Sequence, residues 1–296
     1  MRKSWLPAYL ALGTVWGCSF IFIELGLEFL TPFGVTFIRC ALGAITLLII
    51  LRIRNAKLPK GKSVWRKLWV VAMLLNVVPG VLFAFAQQYI TSVLAGIINA
   101  TTPLMTLIFI LVLFREEKLK PEQVYGLLIG ALGVMTVIGV WKELGDNQLI
   151  GVIALLLAVS CYGASYPYST RNVVPLGLKP ESLATGQLIM ATITLLPLFL
   201  INGFSSQNPR LESIIAMLCL GVFGSGFAYI WNFYITAAAG SAIASTVTYL
   251  TPVVAVVIGW LYLGEDVFWN EIAGALIVIL GALISQGRLN RMIGNK

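Results

Sequence analysis

Ten apolar stretches of about 20 residues, nearly free of charge, follow one another along the chain. They cover residues 6–29, 32–51, 67–88, 93–114, 122–141, 149–168, 181–201, 211–234, 240–263 and 270–286. Each is long enough to cross the hydrocarbon core of a bilayer as a helix. Polar residues gather in short connections, the longest running from Arg52 to Lys67. The pattern predicts an all-α membrane protein with ten transmembrane helices.

The second half of the chain repeats the first. Tyr89-Ile90-Thr91 recurs as Tyr234-Ile235-Thr236, Pro103 as Pro252, Glu116-Glu117 as Glu265-Asp266, and Gly126 with Gly133 as Gly274 with Gly281. Trp16-Gly17-Cys18-Ser19-Phe20 matches Tyr162-Gly163-Ala164-Ser165-Tyr166, and Ile45-Thr46-Leu47-Leu48 matches Ile193-Thr194-Leu195-Leu196. The offsets stay between 145 and 149 residues. The first repeat is read as 1–144 and the second as 145–296, with Lys142 to Gln148 as a short link. Five spans per repeat is an odd number, so the second copy enters the membrane from the opposite side. The halves are then inverted about an axis in the membrane plane, an architecture found among transporters far more than among enzymes.

Charge orients the helices. Hydrophobic residues make up 59% of the chain and charged residues 11%, too apolar for a soluble domain. Basic residues are retained on the cytoplasmic side of short loops. With the N-terminus inside, 17 of the 20 Lys and Arg fall on that side, and only Lys142 and Arg210 lie outside, among Glu28, Glu143, Asp146, Glu212, Glu265, Asp266 and Glu271. Both termini are therefore expected in the cytoplasm, and Arg2-Lys3 with its following apolar run reads as a first permanent span. The net charge of +8 reflects topology and contact with anionic membrane lipid, with no nucleic acid required. The seven basic residues from Arg52 to Lys67 read as a cytoplasmic anchor.

Composition also removes chemistry. The chain has no histidine, which takes away the commonest metal ligand and general base. Cys18, Cys40, Cys161 and Cys219 fall inside apolar spans without ligand spacing and read as small hydrophobes. No catalytic residue, metal site or cofactor is expected. The glycines of the fifth and tenth spans read as small-residue faces for close helix approach.

Four residues are candidates for gating or coupling. Pro103 and Pro252 sit within long apolar runs, where proline withholds a donor and crowds the carbonyl four residues earlier. Asn99, Thr101, Thr102 and Thr106 surround one, and Ser245, Thr246, Thr248 and Thr251 the other. A freed carbonyl in lipid finds such a partner or lines a wet cavity, and interruptions at matched positions point to a midplane site. Glu24 and Arg39 are the charges inside spans, about 7 Å and about 10 Å below the external boundary at the helical rise. That shared depth allows an ion pair, and charges so placed normally face the protein interior.

Aromatic rings with polar tips and nearby amides supply candidate substrate contacts: Trp16, Asn76, Asn99, Thr102, Tyr162, Tyr166, Tyr229, Asn232 and Tyr249. Gln87 and Gln88 are further polar candidates in the third span. Tyr89, Tyr168, Trp141 and Trp269 lie near span ends and read as interfacial belt residues.

Taken in order, Trp16-Gly17-x-Ser19-Phe20, Phe37-Ile38-Arg39, Asn99-Ala100-Thr101-Thr102-Pro103 followed by Glu116, Gly126 and Gly133, and Thr251-Pro252 followed by Gly264-Glu265, Gly274 and Gly281 resemble the drug/metabolite transporter superfamily and its EamA-like family. The resemblance covers nearly the whole length. It implies an exporter of amino acids or related small metabolites in a bacterial cytoplasmic (inner) membrane, and it puts Arg39 where the family pattern has arginine. The reading is a secondary transporter for a small molecule working by alternating access, with proton coupling through Glu24 and a homodimer left open as partners. The alternatives are an integral membrane enzyme acting on lipid and a passive channel. The enzyme is disfavoured because general acid-base chemistry needs positioned titratable groups.

Overall fold

Pro-led and threonine-capped starts set where the helices begin. Thr31 precedes Pro32 and accepts a hydrogen bond from the Gly34 N–H, and Thr91 does the same for Leu94, satisfying donors that a helix start leaves free. The computed structural model describes residues 4–113, 121–138, 146–205, 208–264 and 268–285. The pairs Glu116-Glu117 and Glu265-Asp266, together with Trp141, Lys142 and the basic residues at both termini, lie outside the described residues.

Among the described residues the chain is all helical, in ten rods. They are α1 (Leu6–Leu27), α2 (Pro32–Ile53), α3 (Lys62–Ala86), α4 (Ser92–Leu113), α5 (Pro121–Ile138), α6 (Asp146–Asn172), α7 (Pro180–Asn202), α8 (Leu211–Ala239), α9 (241–263) and α10 (Trp269–Ser285). Among the described residues, seven helices are long and apolar enough to cross a membrane. Leu157, Ile193, Leu200, Leu211, Trp260 and Leu276 are large and apolar, yet they face outward, which suits a lipid surround. Gly240, at φ +84°, turns α8 into α9 in a conformation that residues with a Cβ rarely adopt.

Four rods are irregular. A wide π turn interrupts α3 at Met73–Val77 and α8 at Val222–Phe227. The α4 rod breaks between Asn99 and Thr102, and α9 passes through a tight 3₁₀ turn at Thr246–Tyr249 and ends in a further π turn at Gly259–Leu263.

The tightest packing brings together rods that are far apart in the chain: α5 with α10, α2 with α7, α1 with α8 and α9, α3 and α4 with α6, and α4 with α9. Buried Cys40, Leu47, Leu68, Ala72, Leu188, Ala191 and Phe233 fill the space among α2, α3, α7 and α8. Phe20, Phe83, Ile98, Leu155 and Val159 do so among α1, α3, α4 and α6. At the α1–α2 turn, Thr31 N–H donates to Gly203 O at 3.1 Å and Ser205 N–H to Phe29 O at 3.0 Å. Beside them Arg210 makes a two-pronged pair with Glu28, which also accepts from Ser213 Oγ.

Glycine lets α5 and α10 meet backbone to backbone. A Cβ on Gly133 would stand 2.7 Å from Val278 N and 3.0 Å from Gly274 O, and one on Gly281 would stand 2.6 Å from Gly130 N and 2.7 Å from Gly126 O. The small-residue faces expected from the sequence thus pack on each other. Gly281→Ala is expected to destabilise the protein by about 1–3 kcal/mol through overpacking, read as a lower thermal midpoint in detergent. An unchanged midpoint would contradict this close approach.

Candidate functional site

Four of the irregular turns release backbone carbonyls, and the site is built from what takes them up. Pro79 has no N–H for the Leu75 carbonyl four residues back. Tyr229 Oη donates to that carbonyl at 3.2 Å. In α8, Ala228 N–H bonds to Phe223 and Ser225 and passes over the Gly224 carbonyl, which receives the Trp16 indole N–H at 3.2 Å. The two rings thus anchored meet edge to face, with centroids 6.1 Å apart.

The proline breaks are satisfied locally. Pro103 crowds Asn99 O, which accepts from Thr102 Oγ1 at 2.8 Å, and Pro252 crowds Thr248 O, which accepts from Thr251 Oγ1 at 2.7 Å. In both places the hydroxyl of the threonine just before the proline caps the released carbonyl. Asn99 Nδ2 then donates to Thr251 Oγ1 at 3.3 Å, tying one break to the other. Tyr9 Oη seals the start of the α9 turn by donating to Thr246 O at 2.7 Å.

A cavity lies among these turns. Its walls are Trp16, Ser19, Phe20 and Ile23 from α1, Arg39 from α2, Leu75 and Phe83 from α3, Asn99 from α4, Tyr162 and Tyr166 from α6, Tyr229 from α8 and Thr248 from α9. It offers about 40 Å³ to the centres of water molecules, room for about three waters at roughly 10–15 Å³ each. That is small beside the roughly 300–1,000 Å³ of ordinary ligand pockets.

Of the residues singled out for substrate contact, the cavity gathers Trp16, Asn99, Tyr162, Tyr166 and Tyr229. The other four are not among its lining residues. Asn76 accepts from Gln187 Nε2 in a buried amide pair between α3 and α7, the Thr102 hydroxyl is spent on Asn99, Asn232 is buried in α8, and Tyr249 packs with Ala100 and Val278. Pro103 and Pro252 are buried at their breaks without lining the cavity.

Glu24 and Arg39 go to different partners and do not form the ion pair that their shared depth allowed. Gln87 Nε2 donates to Phe20 O and Ser92 Oγ, both at 2.9 Å, and reaches Glu24 Oε2 at 3.4 Å. Arg39 Nε donates to Ser225 Oγ at 3.2 Å. The cause is the direction in which α2 packs. Arg39, Gly43 and Thr46 share one helical face, and a Cβ on Gly43 would lie 2.9 Å from Ser225 Cβ, so this face is aimed at the wide turn of α8 and away from α1.

Sequence reasoning did not select Ser19, Phe20, Ile23, Leu75, Phe83 and Thr248 as substrate contacts, nor Ser225 as a partner for Arg39. A signal existed for two of them, since Ser19 and Phe20 stand in the duplicated Trp16 motif. Ser225, between Gly224 and Gly226, stands where side chains of α1 and α2 pack closely, since a Cβ on Gly224 would lie 3.1 Å from Ser19 Oγ and one on Gly226 3.1 Å from Thr46 Cγ2.

The profile of the EamA-like transporter family matches residues 3–139 and again 149–286. The chain belongs to this family. Relatives align with the EamA-like chain almost from end to end. The uncharacterized inner membrane transporter YedA of Escherichia coli (strain K12) is 28% identical over 283 residues, covering 95% of this chain and 90% of its own. The uncharacterized transporter YoaV of Bacillus subtilis (strain 168) is 23% identical over 284 residues, 94% of each chain. An uncharacterized transporter of Archaeoglobus fulgidus is 26% identical over 286 residues, covering 95% of this chain and 98% of its own. A chain of a solved crystal structure, 18% identical, is similar with a TM-score of 0.72 over 97% of this chain and 99% of its own, which shows the fold. The EamA-like chain is a multi-pass membrane transporter.

Capping of the two wide turns can be tested directly. Tyr229→Phe keeps the ring and removes the donor to Leu75 O, and Trp16→Phe removes the donor to Gly224 O. Each is expected to cost about 1–3 kcal/mol by leaving a carbonyl unpaired, measured as a lower thermal midpoint in detergent. Midpoints equal to the parent protein would contradict the capping role.

Proposed function

We propose that this EamA-like protein is a secondary transporter that exports amino acids or related small metabolites across a bacterial cytoplasmic membrane by alternating access. Ten spans form two inverted five-helix repeats, 1–144 and 145–296, with both termini in the cytoplasm, and the cavity is the substrate site. The observation that carries this reading is the matched irregularity of the halves. A wide turn in α3 and in α8, and a proline break in α4 and in α9, surround one cavity, which is how broken helices frame a midplane site in transporters built from inverted repeats. The double match of the family profile, over 3–139 and 149–286, also favours two related halves. Export of amino acids rests on the sequence resemblance, and cytoplasmic termini on the distribution of Lys and Arg.

Rocking of the halves about the cavity would open it to either face, with Pro103 and Pro252 marking segments able to bend. Trp16, Asn99, Tyr162, Tyr166 and Tyr229 are then the substrate contacts. Glu24, half-buried and hydrogen-bonded to Gln87, is the group for proton exchange.

In liposomes, labelled solute is expected to accumulate transiently against a preloaded unlabelled pool, because exchange needs a carrier that alternates. Flux that never saturates and shows no counterflow would indicate a channel. Glu24→Gln is expected to keep counterflow and lose acceleration by an imposed pH gradient. Acceleration equal to that of the parent protein would remove Glu24 from coupling.

A further inference from the structure

Among the described residues that line the cavity, Arg39 is the one that carries a charge. It is 7% exposed, and its hydrogen bond goes from Nε to the neutral Ser225 hydroxyl. The ion pairs described are Arg54 with Glu181 and Arg210 with Glu28, so among the described residues no carboxylate is paired with the Arg39 guanidinium. A buried lysine could escape by losing its proton, but guanidinium stays charged at any pH a protein meets. A buried charge without a counter-charge is costly, so the cavity is electrostatically incomplete as it stands.

The missing charge has a definite shape. With Nε held by Ser225, the terminal nitrogens Nη1 and Nη2 remain to present their N–H groups, an arrangement that matches the two oxygens of a carboxylate. Among the described residues neither a second basic residue nor an acidic one lines the cavity. One cation therefore balances one negative charge, whereas a dianionic phosphate would bring a charge left over. Trp16, Tyr162, Tyr166 and Tyr229 offer apolar ring surface to the rest of a small molecule.

We propose that the Arg39 guanidinium is the receptor for a carboxylate of the transported molecule, and that the cavity selects carboxylate-bearing solutes over their neutral or cationic counterparts. Ser225 is a positioning residue, which fixes the guanidinium through Nε and links it to the wide turn of α8. The inference takes its substrate from the transport reading and its preference for an anion from the cavity alone.

The test compares each carboxylate with its own amide, using the common L-amino acids and the straight-chain monocarboxylates from acetate to hexanoate. Binding to the purified full-length protein is read by thermal stabilisation, and exchange by counterflow in liposomes. One or more carboxylates are expected to bind, with the matching amide weaker by at least about tenfold. Arg39→Gln should lower carboxylate affinity to the level of the amide, while Arg39→Lys retains part of the preference and Ser225→Ala weakens it less than Arg39→Gln does. The carboxylate-amide contrast on the parent protein needs no variant to fold. Equal affinity for acid and amide, no carboxylate binding, or undiminished binding by folded Arg39→Gln would overturn the assignment. Arg39-dependent binding without counterflow would uphold it and defeat the transport reading. Counterflow of neutral or cationic solutes that ignores Arg39→Gln would uphold transport and defeat the assignment.

Discussion

A backbone carbonyl that loses its helical partner inside a membrane-spanning helix needs a replacement donor, from the protein or from water in a cavity. This requirement decides where the chain is free to be irregular. Leu75 O is taken by Tyr229, Gly224 O by Trp16, Asn99 O by Thr102 and Thr248 O by Thr251. The first two donors come from a rod in the other half of the chain, so the wide turns hold only while the halves are packed together. The last two are local, so the proline breaks carry their own donors wherever their helices go. The structure thus contains irregularities of two kinds, one locked across the interface of the halves and one self-contained.

That difference bears on how the molecule can work. Trp16 and Tyr229 form the cavity wall and also hold the wide turns, so widening the cavity strains the bonds that stabilise those turns. Arg39 reaches the same wide turn of α8 through Ser225, which places the cavity's one charge and one of its flexible backbone segments in a single hydrogen-bonded unit. Glycine pairs elsewhere act in the opposite sense. Gly34 lies so near Gly203 O, and Gly281 so near Gly130 N, that α2–α7 and α5–α10 have little freedom to slide.

The helical character and the proline breaks were legible in the chain because they rest on local chemistry: apolar runs of span length, a Thr-Pro step at Thr31-Pro32, and hydroxyls crowded around Pro103 and Pro252. The small-residue faces of α5 and α10 were legible too, since a stripe of glycines has few other uses in a span, though not that the two faces meet each other. The wide turns were not. Each adds a residue to one helical turn, and the marks it leaves in the sequence, Asn76 and Pro79 in α3 and Gly224-Ser225-Gly226 in α8, also fit an ordinary polar contact or a close helix approach. Half of the site was equally hidden. Depth along a helix can be counted from its ends, so Glu24 and Arg39 could be matched in height, but the side on which α2 packs is decided by contacts distant in sequence, with Gly43 against Ser225 and Leu188. Asn76 looked like a substrate contact for the same reason. Its partner Gln187 stands on α7, more than a hundred residues away.

The measurement that bears most directly on alternating access is the reach of water into the cavity from each face. Ser19 lines the cavity, and its hydroxyl returns to Val15 O at 2.9 Å, so Ser19→Cys changes little in a background where Cys18, Cys40, Cys161 and Cys219 are replaced. Membrane-impermeant thiol reagents would be applied to right-side-out and to inside-out vesicles. A cavity that opens in turn to either side gives labelling in both preparations, whereas modification from one face alone, or from neither, under every condition of substrate and pH would contradict it.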